Sequence, residues 1–158
     1  MQIKQISMIL CLSIISTQLC AKNITYKKNH ISKQQSVIKT IYDKEIECMA
    51  ETIYSEARGE VLEGKIAVGH TILTRSKKVF HKPICSVIQQ QYTQRRIPKK
   101  DKEEFHHLAK QVLFGVTNSP VGESDSFDSF KGRYSKRPKH TIKVGGHYFY
   151  KVLKRNAA

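Results

Sequence analysis

A glutamate at the end of an apolar helical stripe is the residue of this chain best placed for acid–base chemistry. From Ile46 to Ala57 the residues Ile46, Met49, Ala50, Ile53 and Ala57 recur at three- and four-residue steps. That spacing predicts a helix with one buried face. At about 3.6 residues per turn Glu56 falls on the edge of this face, close below Met49, whereas Glu51 points away from it. A carboxyl at the rim of an apolar stripe is partly desolvated, which favours its neutral form. A neutral carboxyl near physiological pH is what a general acid requires. The same spacing admits a plainer reading, in which Glu56 is a surface residue paired with Arg58 or Lys65. Glu60 is the other acid nearby, with two structural roles open to it: pairing with Arg58, or bonding the amides that start the next helix.

The elements that position these groups follow from punctuation and periodicity. Asp43 stands where a cap for the first long helix is expected, and Gly59 ends that helix. A second apolar helix runs on to Arg75, with Gly64 near its start. Pro83 opens a third segment, Ile84–Gln91, with Ile84, Val87 and Ile88 on one face. Arg95 to Lys102 reads as a cationic, solvated loop. Helical spacing resumes from Glu103 to Phe114 through Phe105, Leu108, Ala109, Val112 and Leu113, and Gly115 stops it. Thr117 to Lys139, rich in Pro, Gly, Ser and Asp, reads as a long surface loop. Gly145 to Tyr150 reads as a short aromatic strand. The expected fold is therefore mainly α with a small β flank, an α+β domain.

With 158 residues, 39% hydrophobic and 26% charged, the chain has room for one globular domain. Its formal charge of +15 implies an anionic partner: nucleic acid, a membrane surface or an acidic wall polymer. The N-terminus decides among them. Lys4, the apolar run from Ile6 to Ile15 and the ending Leu19-Cys20-Ala21 read as a secretory leader over residues 1–21. An uncleaved anchor is the alternative, although the run is shorter than the roughly 20 residues that span a bilayer. Export disfavours nucleic acid and leaves no stable membrane span after cleavage. Residues 22–42, polar, basic and without sustained periodicity, read as a flexible linker ahead of a domain over 43–158. Two cysteines, Cys48 and Cys85, remain in the exported part; they are either one disulfide or two buried thiols.

Tyr54-Ser55-Glu56-Ala57-Arg58-Gly59-Glu60, continued by Glu63-Gly64-Lys65-Ile66-Ala67-Val68-Gly69-His70 and onward to Arg75, resembles the core of the SleB-type cell-wall hydrolases, the spore cortex-lytic enzymes. Val79 to Ile88, Gln89 to Thr93, Ala109 to Gly115 and Gly146 to Tyr150 match further pieces in the family's order. The resemblance implies a single lysozyme-like, mainly α domain that needs no cofactor or metal. It also implies a lytic transglycosylase acting on peptidoglycan glycan strands. Glu56 carries over as the catalytic acid and base, with Arg58, Glu60, Gln91, Tyr92, His147, Tyr148 and Tyr150 as substrate-binding candidates, the two tyrosines of the last strand by stacking on sugars. A single carboxylate suffices for this chemistry, whereas ordinary glycoside hydrolysis uses a pair.

The sequence departs from the family after Gly115, where Asn118 to Phe127 replaces its usual Asp-Pro-Thr-Gly-Gly-Ala stretch, and it has no tryptophan. Two rival readings stand beside the transglycosylase. A zinc amidase cutting the peptide stem would need two or three converging ligands, and His70, His81, His106, His107 and His147 are scattered or adjacent. A non-catalytic wall-binding protein would keep the basic surface without needing Glu56.

Overall fold

The computed structural model describes residues 31–129 and 141–152. The expected leader, 1–21, and the first part of the linker lie outside the described residues. The chain divides into two compact units, Met1–Tyr42 and Asp43–Ala158. In the first unit, residues 31–42 are helical and exposed throughout. That corrects the expectation of an irregular linker there. Backbone bonds are satisfied locally, and hydroxyls fold back on the helix, Thr40 Oγ1 donating to the Ser36 carbonyl at 2.9 Å.

Helical backbone covers residues 31–57 (α1), so Asp43 is an interior residue of the helix and not its cap. Within the second unit α1 buries the residues its periodicity selects: Ile46, Met49, Ala50, Ile53 and Ala57. Its polar residues stay satisfied, for Thr52 Oγ1 bonds the Cys48 carbonyl at 2.9 Å. The helix ends where the Glu60 amide bonds the Ala57 carbonyl at 3.0 Å.

Helix α2, Leu62–Thr74, is the centre of the unit and packs on α4 as well as on α3 and the sheet. Its approach to neighbours is close because Gly69 carries no side chain: a Cβ there would sit 3.1 Å from both Ile53 and Val112. Beyond Thr74 the helix widens into a π-helical stretch, Arg75–Phe80, which the sequence pattern did not anticipate. Helix α3, Ile84–Gln91, starts behind Pro83, and its first amide bonds the Glu45 carboxylate of α1 at 2.6 Å. A Cys48–Cys85 disulfide fixes the same two helices. Helix α4, Lys102–Leu113, buries Phe105, Leu108, Ala109 and Val112 and carries Glu103 and Glu104 in its first turn, where the helix dipole favours acids. It closes at Gly115, whose φ of 70° lets the Val116 amide return to the Gln111 carbonyl at 2.8 Å.

Three short strands complete the unit: β1 (Ser126–Asp128), β2 (Thr141–Val144) and β3 (His147–Tyr150). They form an antiparallel sheet in the order β1-β3-β2, with Phe127 opposite Phe149 and Lys143 opposite Tyr148. Only β3 matches an expected strand; β1 lies inside the segment expected to be loop. Three residues carry too little alternation to register as a strand, and β1 exists because β3 offers it an edge. Phe149 is fully buried and joins the sheet to the helical core.

Candidate active site

Glu56 stands in the last turn of α1 and is half-buried. Its pKa is raised, chiefly by burial, while His147 and Arg95 pull it back. Among the described residues no hydrogen bond reaches its carboxyl. The plainer reading of Glu56 as a paired surface residue does not hold, because both proposed partners are engaged elsewhere. The Arg58 guanidinium lies 5.6 Å from the Tyr54 ring centroid. Lys65 bonds Glu104 at 2.7 Å and lies over Phe105 at 4.9 Å.

Each group near Glu56 has an identifiable support. The residue before it, Ser55, accepts a hydrogen bond from the Arg95 amide at 2.7 Å, laying the segment after α3 along the end of α1. Ile97, 6% exposed, anchors that segment in the core two residues later. Tyr92, just past α3, accepts from Arg75 Nη1 at 2.9 Å, and its ring stacks on Phe127 with centroids 6.1 Å apart. Burial pushes the Tyr92 hydroxyl up in pKa; Arg75 opposes that, and the charges of Glu56 and Asp125 add to it. Asp125 is itself buried and occupied: it accepts from Ser126 Oγ at 3.0 Å and from the Val152 amide at 2.9 Å.

His147 opens β3, and its ring edge meets Phe127 at 5.3 Å. Its Nδ1 is buried, lies 3.5 Å from Glu60 Oε1, and makes no well-aligned hydrogen bond. The other oxygen of Glu60 accepts the Gly146 amide at 2.8 Å. Glu60 therefore serves the turn between β2 and β3, instead of pairing with Arg58 or bonding the start of α2. The turn is built around it, for a Cβ on Gly146 would lie 2.6 Å from Glu60 Oε1.

The remaining expected residues divide. Tyr148 is half-exposed, with the Lys143 ammonium 5.6 Å from its ring. Gln91 is exposed at the end of α3, and Arg58 is exposed beyond α1. Tyr150, the last residue of β3, is buried, at 7% exposure. Among the described residues no three His, Cys, Asp or Glu side chains converge as metal ligands would. Arg95, Arg75, Ser55, Phe127 and Asp125 were not foreseen. Arg95 sat in a run of like charges, and nothing in that run distinguishes it from Arg96; only the Ser55 contact does.

The arrangement gives one carboxyl free to exchange a proton, flanked by a cation, an imidazole and a phenol. A family model for cell wall hydrolases matches residues 59–150, beginning just beyond Glu56. Among solved structures, the chain is similar to the catalytic domain of the germination-specific lytic transglycosylase SleB from Bacillus anthracis. That likeness has 27% identity over 68% of this chain and 93% of that one, with a TM-score of 0.51. The catalytic domain of the Bacillus cereus SleB protein is similar in fold, with 24% identity over 69% of this chain and 91% of that one and a TM-score of 0.52. No curated protein matches. These likenesses bear out the lysozyme-like α+β fold. With the family match covering more than half of its length, the chain belongs to the cell wall hydrolase family.

Proposed function

We propose that this protein is an exported lytic transglycosylase that cuts the bond between N-acetylmuramic acid and N-acetylglucosamine in peptidoglycan, with Glu56 as its one acid and base. The observation that carries this reading is the division of labour among the site's carboxyls. Glu60 is held by the Gly146 amide and Asp125 by Ser126 and Val152. Glu56 alone is unbonded and pushed toward its neutral form by burial.

In the first half of the reaction the Glu56 carboxyl gives its proton to the glycosidic oxygen. The C1–O bond breaks and the N-acetylglucosamine side leaves as an alcohol. Positive charge then develops at the muramoyl C1, which the new Glu56 carboxylate stabilises. In the second half that carboxylate takes the proton of the muramoyl 6-hydroxyl as O6 bonds to C1. The product is a 1,6-anhydro end, no water is consumed, and the carboxyl is protonated again. Arg95 and His147, whose charges act on Glu56, keep its ionised form accessible between the two halves. In this reading Tyr92, Tyr148, Gln91 and Arg58 hold the glycan. Residues 1–21 act as the leader that takes the enzyme to the wall.

Digestion of purified peptidoglycan, followed by mass spectrometry of the released fragments, tests this. Fragments one water lighter than reducing muropeptides are expected. Glu56→Gln keeps the size of the side chain but has no carboxylic proton, so release should fall by about 10²–10⁴-fold. Far-ultraviolet circular dichroism checks that the variant is folded. Reducing ends in place of anhydro ends would overturn the transglycosylase mechanism, and a folded Glu56→Gln protein with full activity would overturn the assigned acid.

A further inference from the structure

The part of α1 in the first compact unit carries a face with no role in the site. Over residues 31–42, Ile31, Val37, Ile38, Ile41 and Tyr42 are each 46–57% exposed. At about 100° per residue these five fall within an arc of roughly 140°, interrupted only by Gln34. Lys33 and Lys39 flank the arc, one on each side, and Ser32, Ser36 and Thr40 occupy the opposite face. No acid occurs between Ile31 and Tyr42. From Lys22 to Lys44 there are six lysines against the single acid Asp43.

From this we infer that residues 31–42 form a surface-binding helix that lies flat on a bilayer bearing anionic headgroups, with Ile31, Val37, Ile38 and Ile41 dipping toward the acyl chains. An apolar arc bordered by lysines and backed by hydroxyls is the pattern of an interfacial helix. The lysines sit at headgroup level, where cations are drawn to an anionic surface. Twelve helical residues span about 18 Å, too short to cross a hydrocarbon core of about 30 Å. Among the described residues no helix is long and apolar enough to cross a membrane. A second copy of the chain fits the face poorly. Fewer than two heptads make a weak coiled coil, and Lys33 and Lys39 would face their own copies along the seam. The inference is independent of the reaction assigned to Glu56.

The lack of any tryptophan makes a position-specific test available. Ile38→Trp places one reporter in the middle of the apolar arc, and Ser36→Trp places one about 160° away on the hydroxyl face. Each full-length variant is mixed with vesicles of phosphatidylglycerol and brominated phosphatidylcholine. The expected result is a blue shift and bromine quenching for Ile38→Trp, little of either for Ser36→Trp, and loss of the effect in purely zwitterionic vesicles or at high salt. Because the signal arises at residue 38 itself, binding through any other part of the chain does not imitate it. Equal responses at both positions, or no response at Ile38→Trp, would overturn the inference. So would a blue shift of Ile38→Trp that rises with protein concentration before vesicles are added, which would assign the face to a second copy.

Discussion

Glu56 and Glu60 stand about one helical turn apart and meet opposite fates. Burial raises the pKa of Glu56 above the ordinary 4.5, so activity should decline as pH rises through that raised value and the proton donor is lost. Arg95 works against the shift. Arg95→Gln should therefore raise the Glu56 pKa further and move the alkaline limb of the pH–rate profile to higher pH. A limb that stays in place or moves down would show that the guanidinium does not act on Glu56. The same shift has a consequence for stability. A group whose folded pKa lies above its unfolded one stabilises the fold fully below the unfolded pKa, and that contribution is lost as pH rises through the folded pKa. As pH rises through that raised pKa the half-buried carboxylate weakens the fold, so above it Glu56→Gln should melt higher than wild type. The gain should vanish below about pH 4, where both proteins carry a neutral side chain. Thermal melts of the two proteins across this range check it. The half-buried place of Glu56 was legible in the sequence because a five-residue stripe fixed its angle on the helix. That of Arg95 was not, since a hydrogen bond from a segment 40 residues away along the chain places it.

At the level of elements, α1 and α3 are joined twice, by the Glu45 carboxylate on the Ile84 amide and by the disulfide. The bridge closes a loop of 37 residues, which the chain-entropy model equates with about 3–4 kcal/mol. Chemical denaturation with and without reductant should show a loss of that order, and an unchanged midpoint would mean that the bridge does not form in the purified protein. Glu45→Ala should cost less, about 1 kcal/mol, because one amide at a helix start then turns to water. Helices longer than two turns were legible from their stripes. The π-helical stretch and β1 were not: the first is a local change of hydrogen-bond register, and the second is three residues that pair only because β3 is there. The apolar arc over residues 31–42 was also missed, its four aliphatic residues being diluted by Lys, Gln and Ser until helical geometry brings them together.

Taken as a whole, the molecule carries a charge of +15 and belongs to a family of cell wall hydrolases. Binding to purified sacculi should weaken steeply as salt rises toward 0.5 M, since screening shortens the reach of exposed charges to a few ångströms. Sedimentation with sacculi across a salt series measures this directly. Binding indifferent to salt would assign retention to the glycan contacts alone. Composition gives an expected sign for the partner but not which surface would meet it, because lysines are spread over nearly every segment of the chain.

The contact between Glu60 and the β2–β3 turn also sets a rule of inheritance. The carboxylate occupies the space where a side chain on Gly146 would grow, and positions 60 and 146 are 86 residues apart in the chain. Neither can drift alone. Gly146→Ala should destabilise the hairpin, and Glu60→Ala should free the Gly146 amide, yet the double variant should lose less than the sum of the two because the steric conflict is gone. A double-mutant cycle on melting temperature would reveal such a compensated pair. In a diverging lineage the two codons would then be expected to change together or not at all.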